Sequence, residues 1–151
     1  MLIAGVDLAA EPKGTALATI QWSESTATLV GLQTNITDAD IVAAALKVGK
    51  LGIDCALGWP AEFVDFLVRN NRTDAGRAAF AGDLALRRKL AYRETDREVR
   101  KLTGRWPLSV STDRLGMTAI RCAGILSQLA EAGVNVDRSG VGKIGRASCR
   151  E

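Results

Sequence analysis

IAGVDLAAEPKGT, from Ile3 to Thr15, places an aspartate inside an apolar run. Leu2 to Val6 is continuously apolar and Leu8-Ala9-Ala10 continues it, the pattern of a strand covered on both faces. Desolvating an unpaired carboxylate costs several kcal/mol, which rivals the whole stability of a small domain, about 5–15 kcal/mol. Asp7 therefore belongs at a wet strand end, beside a cation, or on a metal. A turn aspartate closing a short strand is the plainest way to meet the first condition. The same combination returns at Lys50-Leu51-Gly52-Ile53-Asp54-Cys55-Ala56, a second buried-looking strand with an acid near its end.

Working outward, strand one covers roughly residues 2–8 and Pro12-Lys13-Gly14 makes a turn. Residues 15–22 and 26–33 read as strands two and three, and their short connections favour an antiparallel meander. Thr37 caps a helix with Asp38 and Asp40 in its opening turn, Ile41, Val42, Ala45, Leu46 and Val48 on one face, and Gly49 as its stop. Residues 50–56 form strand four, ended by Gly58-Trp59-Pro60. Helical spacing follows over 62–69 and over 74–91, with a break around Gly82. Thr95-Asp96-Arg97-Glu98 has the form of a capping box opening a helix to Leu102, closed by Gly104. A long helix over about 112–132 turns Leu115, Ala119, Cys122, Ile125, Leu126 and Leu129 inward, and residues 134–136 have the composition of a further strand start. Three antiparallel strands, a helical crossover and a fourth strand predict an α/β mixed sheet covered by helices. In it strand four lies parallel to and beside strand one. Asp7 and Asp54 would then stand at similar heights on adjacent strands.

The end of the chain reads differently. Ile144-Gly145-Arg146-Ala147-Ser148-Cys149-Arg150-Glu151 has no hydrophobic period and matches one reading frame of a common sequencing adapter. The expectation is one domain over residues 1–143, incomplete at its C-terminal end, with 144–151 foreign to it. About that length suits a single core. The content of 47% hydrophobic and 25% charged residues is that of an ordinary globular chain. No apolar run approaches a membrane span. Cys55 and Cys122 read as isolated thiols with no CxxC, which points to a reducing, cytoplasmic compartment without a disulfide framework. The chain has no histidine. This excludes Ser-His-Asp and Cys-His catalysis and histidine-based zinc sites, leaving carboxylates, hydroxyls, amines and a hard cation for any hydrolytic chemistry. Charge is segregated. Residues 1–68 carry three lysines against eight acids, and residues 69–105 carry eleven basic residues against five acids. A basic face of this kind holds phosphates or simply solvates a helix.

A fold keeps two carboxylates side by side when they share a proton or a divalent cation. Mg²⁺ or Mn²⁺ takes hard oxygen ligands, and two carboxylates plus substrate phosphate oxygens supply them. An ion so held activates water for phosphodiester cleavage. The competing reading has Asp7 and Asp54 capping separate loops.

Gly5-Val6-Asp7-Leu8-Ala9 with Pro12-Lys13-Gly14-Thr15, Ile53-Asp54-Cys55-Ala56-Leu57-Gly58-Trp59-Pro60, Arg93-Glu94-Thr95-Asp96-Arg97-Glu98-Val99, and Trp106-Pro107-Leu108-Ser109-Val110-Ser111 resemble the family catalogued as domain of unknown function 429. That family is grouped with predicted nucleases of RNase H-like fold. The resemblance spans nearly the whole chain before residue 144. It implies that Asp7 and Asp54 present their acids to metal, and that Arg93, Thr95, Asp96 and Arg97 match the family's Arg-x-Thr-Asp-Arg pattern. Family members continue past a segment like Val136 to Gly140 into a strand bearing a glutamate, which this sequence lacks.

The candidate set is therefore Asp7, Asp54 and Asp96 as catalytic acids, Asp7 and Asp54 as ligands of Mg²⁺ or Mn²⁺, and Lys13, Arg93, Thr95 and Arg97 as substrate contacts. Each has a plainer reading. Asp96 is a helix-opening acid, Arg93 and Arg97 pair with Glu94, Asp96 or Glu98, and Lys13 sits in a hairpin turn. Trp59 and Trp106 read as core plugs. The function expected is a metal-dependent nuclease or phosphodiesterase. The alternative is a non-catalytic module of the same fold that binds nucleic acid or protein. A nucleotide-handling relative of the actin and sugar-kinase group ranks last, because Leu57-Gly58-Trp59-Pro60 supplies only one glycine of the phosphate loop it needs.

Overall fold

The computed structural model describes residues 1–72 and 84–137. Its elements in chain order are β1 (Leu2–Asp7), β2 (Ala16–Trp22), β3 (Ala27–Thr34), α1 (Asp38–Ala45), β4 (Lys50–Asp54), α2 (Ala61–Arg72), α3 (Leu84–Ala91), α4 (Glu94–Thr103) and α5 (Leu115–Glu131). Residues 1–57 with 117–137 form one compact unit; residues 58–72 with 84–116 form another. The break expected at Gly82 and the 144–151 segment lie outside the described residues.

The first unit is a four-stranded sheet in the order β3-β2-β1-β4. β1 pairs antiparallel with β2, and β2 with β3, while β1 and β4 run parallel. A short turn can only reverse the chain, so β1, β2 and β3 form a meander; α1 is the crossover that lets β4 return in parallel. Thr37 caps α1 as its sequence predicts. Its hydroxyl accepts from the Asp40 N–H at 3.2 Å, and Asp40 Oδ2 accepts from the Thr37 N–H at 2.9 Å. The Thr37 hydroxyl also donates to Asp40 Oδ2 at 2.6 Å; this bond first, and that from the Thr37 N–H second, hold the Asp40 carboxyl below its ordinary value. The helix stops at Ala45, before the predicted Gly49, and Leu46 turns out to solvent.

The apolar positions of the sheet split by period two. Ala4, Val6 and Leu8 are buried and Asp7 is exposed. Val6 and Leu17 pack with Ile41 and Ala45 of α1 and with Cys122, Ile125 and Leu129 of α5. The two helices thus cover the Val6 face, and Asp7 stands on the opposite one. β3 is less buried than a core strand. Thr19 pairs with Gly31 and Ile20 with Leu29, so Val30 is the extra residue of a β-bulge. Leu29, Val30 and Leu32 are exposed.

In the second unit α2 packs against α3. α4 ends at Gly104, whose φ of 72° is the left-handed conformation glycine adopts at low cost. Two sequence expectations are corrected here. The helix read from residue 112 begins at Leu115. Ser109 captures the preceding turn, because its hydroxyl accepts from the Ser111 and Thr112 N–H groups and its own N–H donates to Asp113 Oδ2 at 2.7 Å. Residues 134–137 form no strand; Val134 N–H instead donates to the Leu129 carbonyl and finishes α5.

Candidate functional site

Asp7 and Asp54 close β1 and β4, and they are register partners in the parallel ladder. Adjacent strands lie about 4.8 Å apart and directly paired residues share a sheet face. The two carboxylates therefore come together on one face, both exposed. Apolar runs of matching length bring this about. Ala4 to Val6 pairs with Leu51 to Ile53, and each run ends on its acid.

The chain leaving β1 is tightly held. Thr15 is fully buried. Its hydroxyl accepts from the Ala9 N–H at 3.2 Å and donates to the Glu11 carbonyl at 2.8 Å. Arg121 of α5 converges on the same point. Nη1 donates to Thr15 Oγ1 at 2.7 Å and to the Ala9 carbonyl at 2.9 Å, Nη2 to the Ile36 carbonyl at 3.1 Å, and Nε to Asp38 Oδ1 at 2.7 Å. The guanidinium is thus spent on the loops after β1 and β3 and on the first turn of α1. Sequence reading passed Arg121 over; the available signal was a lone cation beside Cys122 in a helix otherwise rich in apolar residues. Lys13 sits in the turn between these anchors, exposed, where Gly14 takes a φ of 94° and the Thr15 N–H closes on the Pro12 carbonyl at 3.0 Å.

The exit of β4 is held too. Cys55 pairs with Cys122, across 67 residues and with 6.7 Å between their Cα atoms. This corrects the expectation of two isolated thiols and removes the cysteine-based reason for a reducing compartment. The pair is invisible in sequence because it forms only when β4 and α5 meet on the core face.

The other candidates belong to the second unit. Asp96 is buried at 4% exposure. Its carboxylate accepts from Arg93 three times: from the backbone N–H at 2.9 Å, Nε at 3.1 Å and Nη2 at 3.0 Å. The helix accordingly starts at Glu94 with Arg93 as N-cap, two residues earlier than a Thr95 to Glu98 box requires. A charged, forked bond between residues 93 and 96 outweighs a neutral hydroxyl cap two positions on. Thr95 Oγ1 is left buried with no hydrogen-bond partner among the described residues. Arg97 pairs with Glu94 and donates to the Tyr92 carbonyl at 3.0 Å; the contact holds the Glu94 carboxyl below its ordinary value. Trp106 is half-buried and stacks on Tyr92 with 4.2 Å between ring centres.

Two strand-end carboxylates fit a hard cation that keeps several waters, as Mg²⁺ does. No cluster of three or more Asp, Glu, Cys or His side chains among the described residues is placed to hold a metal. The remaining ligands would have to be water and substrate oxygens. No helix among the described residues is long and apolar enough to cross a membrane.

No curated protein and no solved structure matches this chain. The model of the family described as "Protein of unknown function (DUF429)" matches residues 5–144, a stretch that includes both strand-end acids, the Arg93 to Arg97 segment and the anchors on α5. The chain belongs to the DUF429 family.

Proposed function

We propose that this protein is a metal-dependent nuclease or phosphodiesterase of RNase H-like fold. The observation that carries the reading is the in-register pairing of Asp7 with Asp54. The sheet order, with a parallel fourth strand beside the first, is the arrangement in which RNase H-like enzymes present acids from those two strands. Asp7 and Asp54 would hold Mg²⁺ or Mn²⁺, and the ion, when bound, supplies water activation and charge neutralisation at the leaving oxygen. Lys13, on the turn after β1, offers a mobile point charge to a substrate phosphate. Of Arg93, the N-cap of α4, and Arg97 in its first turn, Arg97 is the better phosphate ligand. Its pair with exposed Glu94 exchanges at about 0–1 kcal/mol, whereas freeing Arg93 strands a buried Asp96 at about 3–5 kcal/mol.

The test is cleavage of a labelled oligonucleotide by the full chain in Mn²⁺. Asp7→Asn and Asp54→Asn are expected to abolish it with an unchanged circular dichroism spectrum, and cleavage retained in both variants ends the proposal. One observation favours a second reading, a non-catalytic binding module. Asp96, the third candidate acid, is already saturated by Arg93. Mn²⁺ binding that is present in the native chain and lost in Asp7→Asn excludes the module.

A further inference from the structure

We infer that the α3–α4 segment carries a second, separate site: a phosphate-backbone docking platform built from Arg88 and Arg100 around Trp106. Over residues 84–106 the chain holds eight basic side chains and three acids. All three acids are already engaged by partners three residues away: Asp96 by Arg93, Glu94 by Arg97 and Glu98 by Lys101. Arg87, Arg88, Lys89, Arg100 and Arg105 remain, all exposed, with no carboxylate partner among the described residues.

Two of these five are held rather than loose. The Arg88 guanidinium lies 5.7 Å from the centre of the Trp106 ring and that of Arg100 lies 5.6 Å from it. Both are within the range of a cation–π contact. Tyr92 stacks beneath the same indole, nearly parallel at 18°. The ring thus fixes two long side chains that would otherwise lose rotamer freedom on binding. Two guanidiniums sharing one ring also repel each other, and neither has an ion pair among the described residues. An arriving anion relieves that repulsion.

Charge complementarity names the occupant. The platform presents several forked donors in sequence along a helix pair, which suits a ligand with repeated phosphates rather than one anion. A half-buried aromatic pair beside them suits the bases between those phosphates. The ligand class is a single-stranded nucleic acid held mainly through its backbone. This inference needs neither the acid pair nor hydrolysis.

The experiment is fluorescence anisotropy of an end-labelled, mixed-sequence twenty-nucleotide DNA strand titrated with the full chain in EDTA, repeated from low to moderate salt. Binding is expected to weaken with salt. In Arg88→Ala/Arg100→Ala the slope of log affinity against log salt is expected to shrink by about 1.4, two phosphate contacts at about 0.7 each. Arg88→Lys/Arg100→Lys, which keeps the charge but loses the stacked fork, is expected to hold the slope and lose affinity several-fold. An unchanged slope in the alanine pair overturns the platform. So does binding of phosphatidylserine vesicles or polyglutamate in place of the oligonucleotide. Salt-dependent binding that falls in the alanine pair, together with no cleavage by the native chain in Mn²⁺, upholds the platform and sinks only the nuclease reading.

Discussion

Asp7→Asn is expected to stabilise the protein without metal and to destabilise it, relative to native, with metal. The perturbation removes one of two facing charges and changes little else, since asparagine keeps the shape. Strand spacing puts the paired side chains about 5 Å apart. Two like charges at that distance repel by about 0.8 kcal/mol in water and about 3 kcal/mol at an effective dielectric of 20. Both side chains are exposed, so about 1 kcal/mol is the reasonable figure, and 1 M salt should suppress most of it. For a chain of this size that is a rise in Tm of roughly 3–5 °C in EDTA. If the proposed site binds Mn²⁺, the ion at a hundred times its Kd would stabilise the native chain by about 2.7 kcal/mol, and the variant would lose that increment. The order of melting temperatures therefore reverses between EDTA and Mn²⁺. Asp54→Asn should behave alike. The double variant should gain nothing beyond either single one, because the repulsion is already gone. Thermal melts of the four proteins in both buffers settle the matter. Additive destabilisation in EDTA, or an equal Mn²⁺ shift in every variant, refutes a shared site.

Arg121→Met is expected to lower stability by about 1–3 kcal/mol, chiefly because it strands the Ala9 and Ile36 carbonyls, read as a fall in urea midpoint at constant slope. Reductant is expected to lower the Tm of the native chain but not of Cys122→Ser, since closing a loop of 67 residues constrains the unfolded chain by up to about 4 kcal/mol; identical melts with and without reductant refute the pairing. Asp40 has a folded-state pKa below its ordinary value of 3.8. Its contribution is therefore complete above about pH 3.8 and disappears as pH falls through the lowered value. Thr37→Ala should cost about 1 kcal/mol at neutral pH and move the Asp40 titration, followed by NMR, up toward its ordinary value, only in part because the bond from the backbone N–H remains.

The parallel register of β1 and β4 was readable because two apolar runs of similar length each end on an acid, and a helical crossover leaves only one way to lay them side by side. The cap at Thr37 was readable because a hydroxyl and a carboxylate three residues apart have one sensible arrangement. At α4 the same rule had two solutions. Arg93 with Asp96 and Thr95 with Glu98 both satisfy the spacing, and the choice turned on a charged fork that spacing does not encode. The Ser109 turn, which shortens α5, is a local competition between side chain and backbone. Arg121 and Cys122 were beyond reach for another reason. Their partners lie 67 to 112 residues away, and nothing local marks a side chain for a tertiary contact.

Arg121 and Cys122 also explain how an exposed acid pair keeps its geometry. Asp7 and Asp54 are the final residues of their strands, where ladder hydrogen bonds cease and the chain would otherwise fray. Two residues beyond Asp7, the Ala9 carbonyl accepts from Arg121. One residue beyond Asp54, Cys55 meets Cys122. Consecutive residues of α5 thus tether the exits of both acid-bearing strands, and Ile125, completely buried on the same helix, anchors it in the core. The burial that was inconsistent with carboxylates in the strands is supplied on the opposite face, by side chains that carry no chemistry. The acids remain in water, open to the proposed cation, while the chain just beyond each is tied to α5. A site made only of the two aspartates would be a pair of loose ends; joined to one helix turn, it is a rigid two-carboxylate edge.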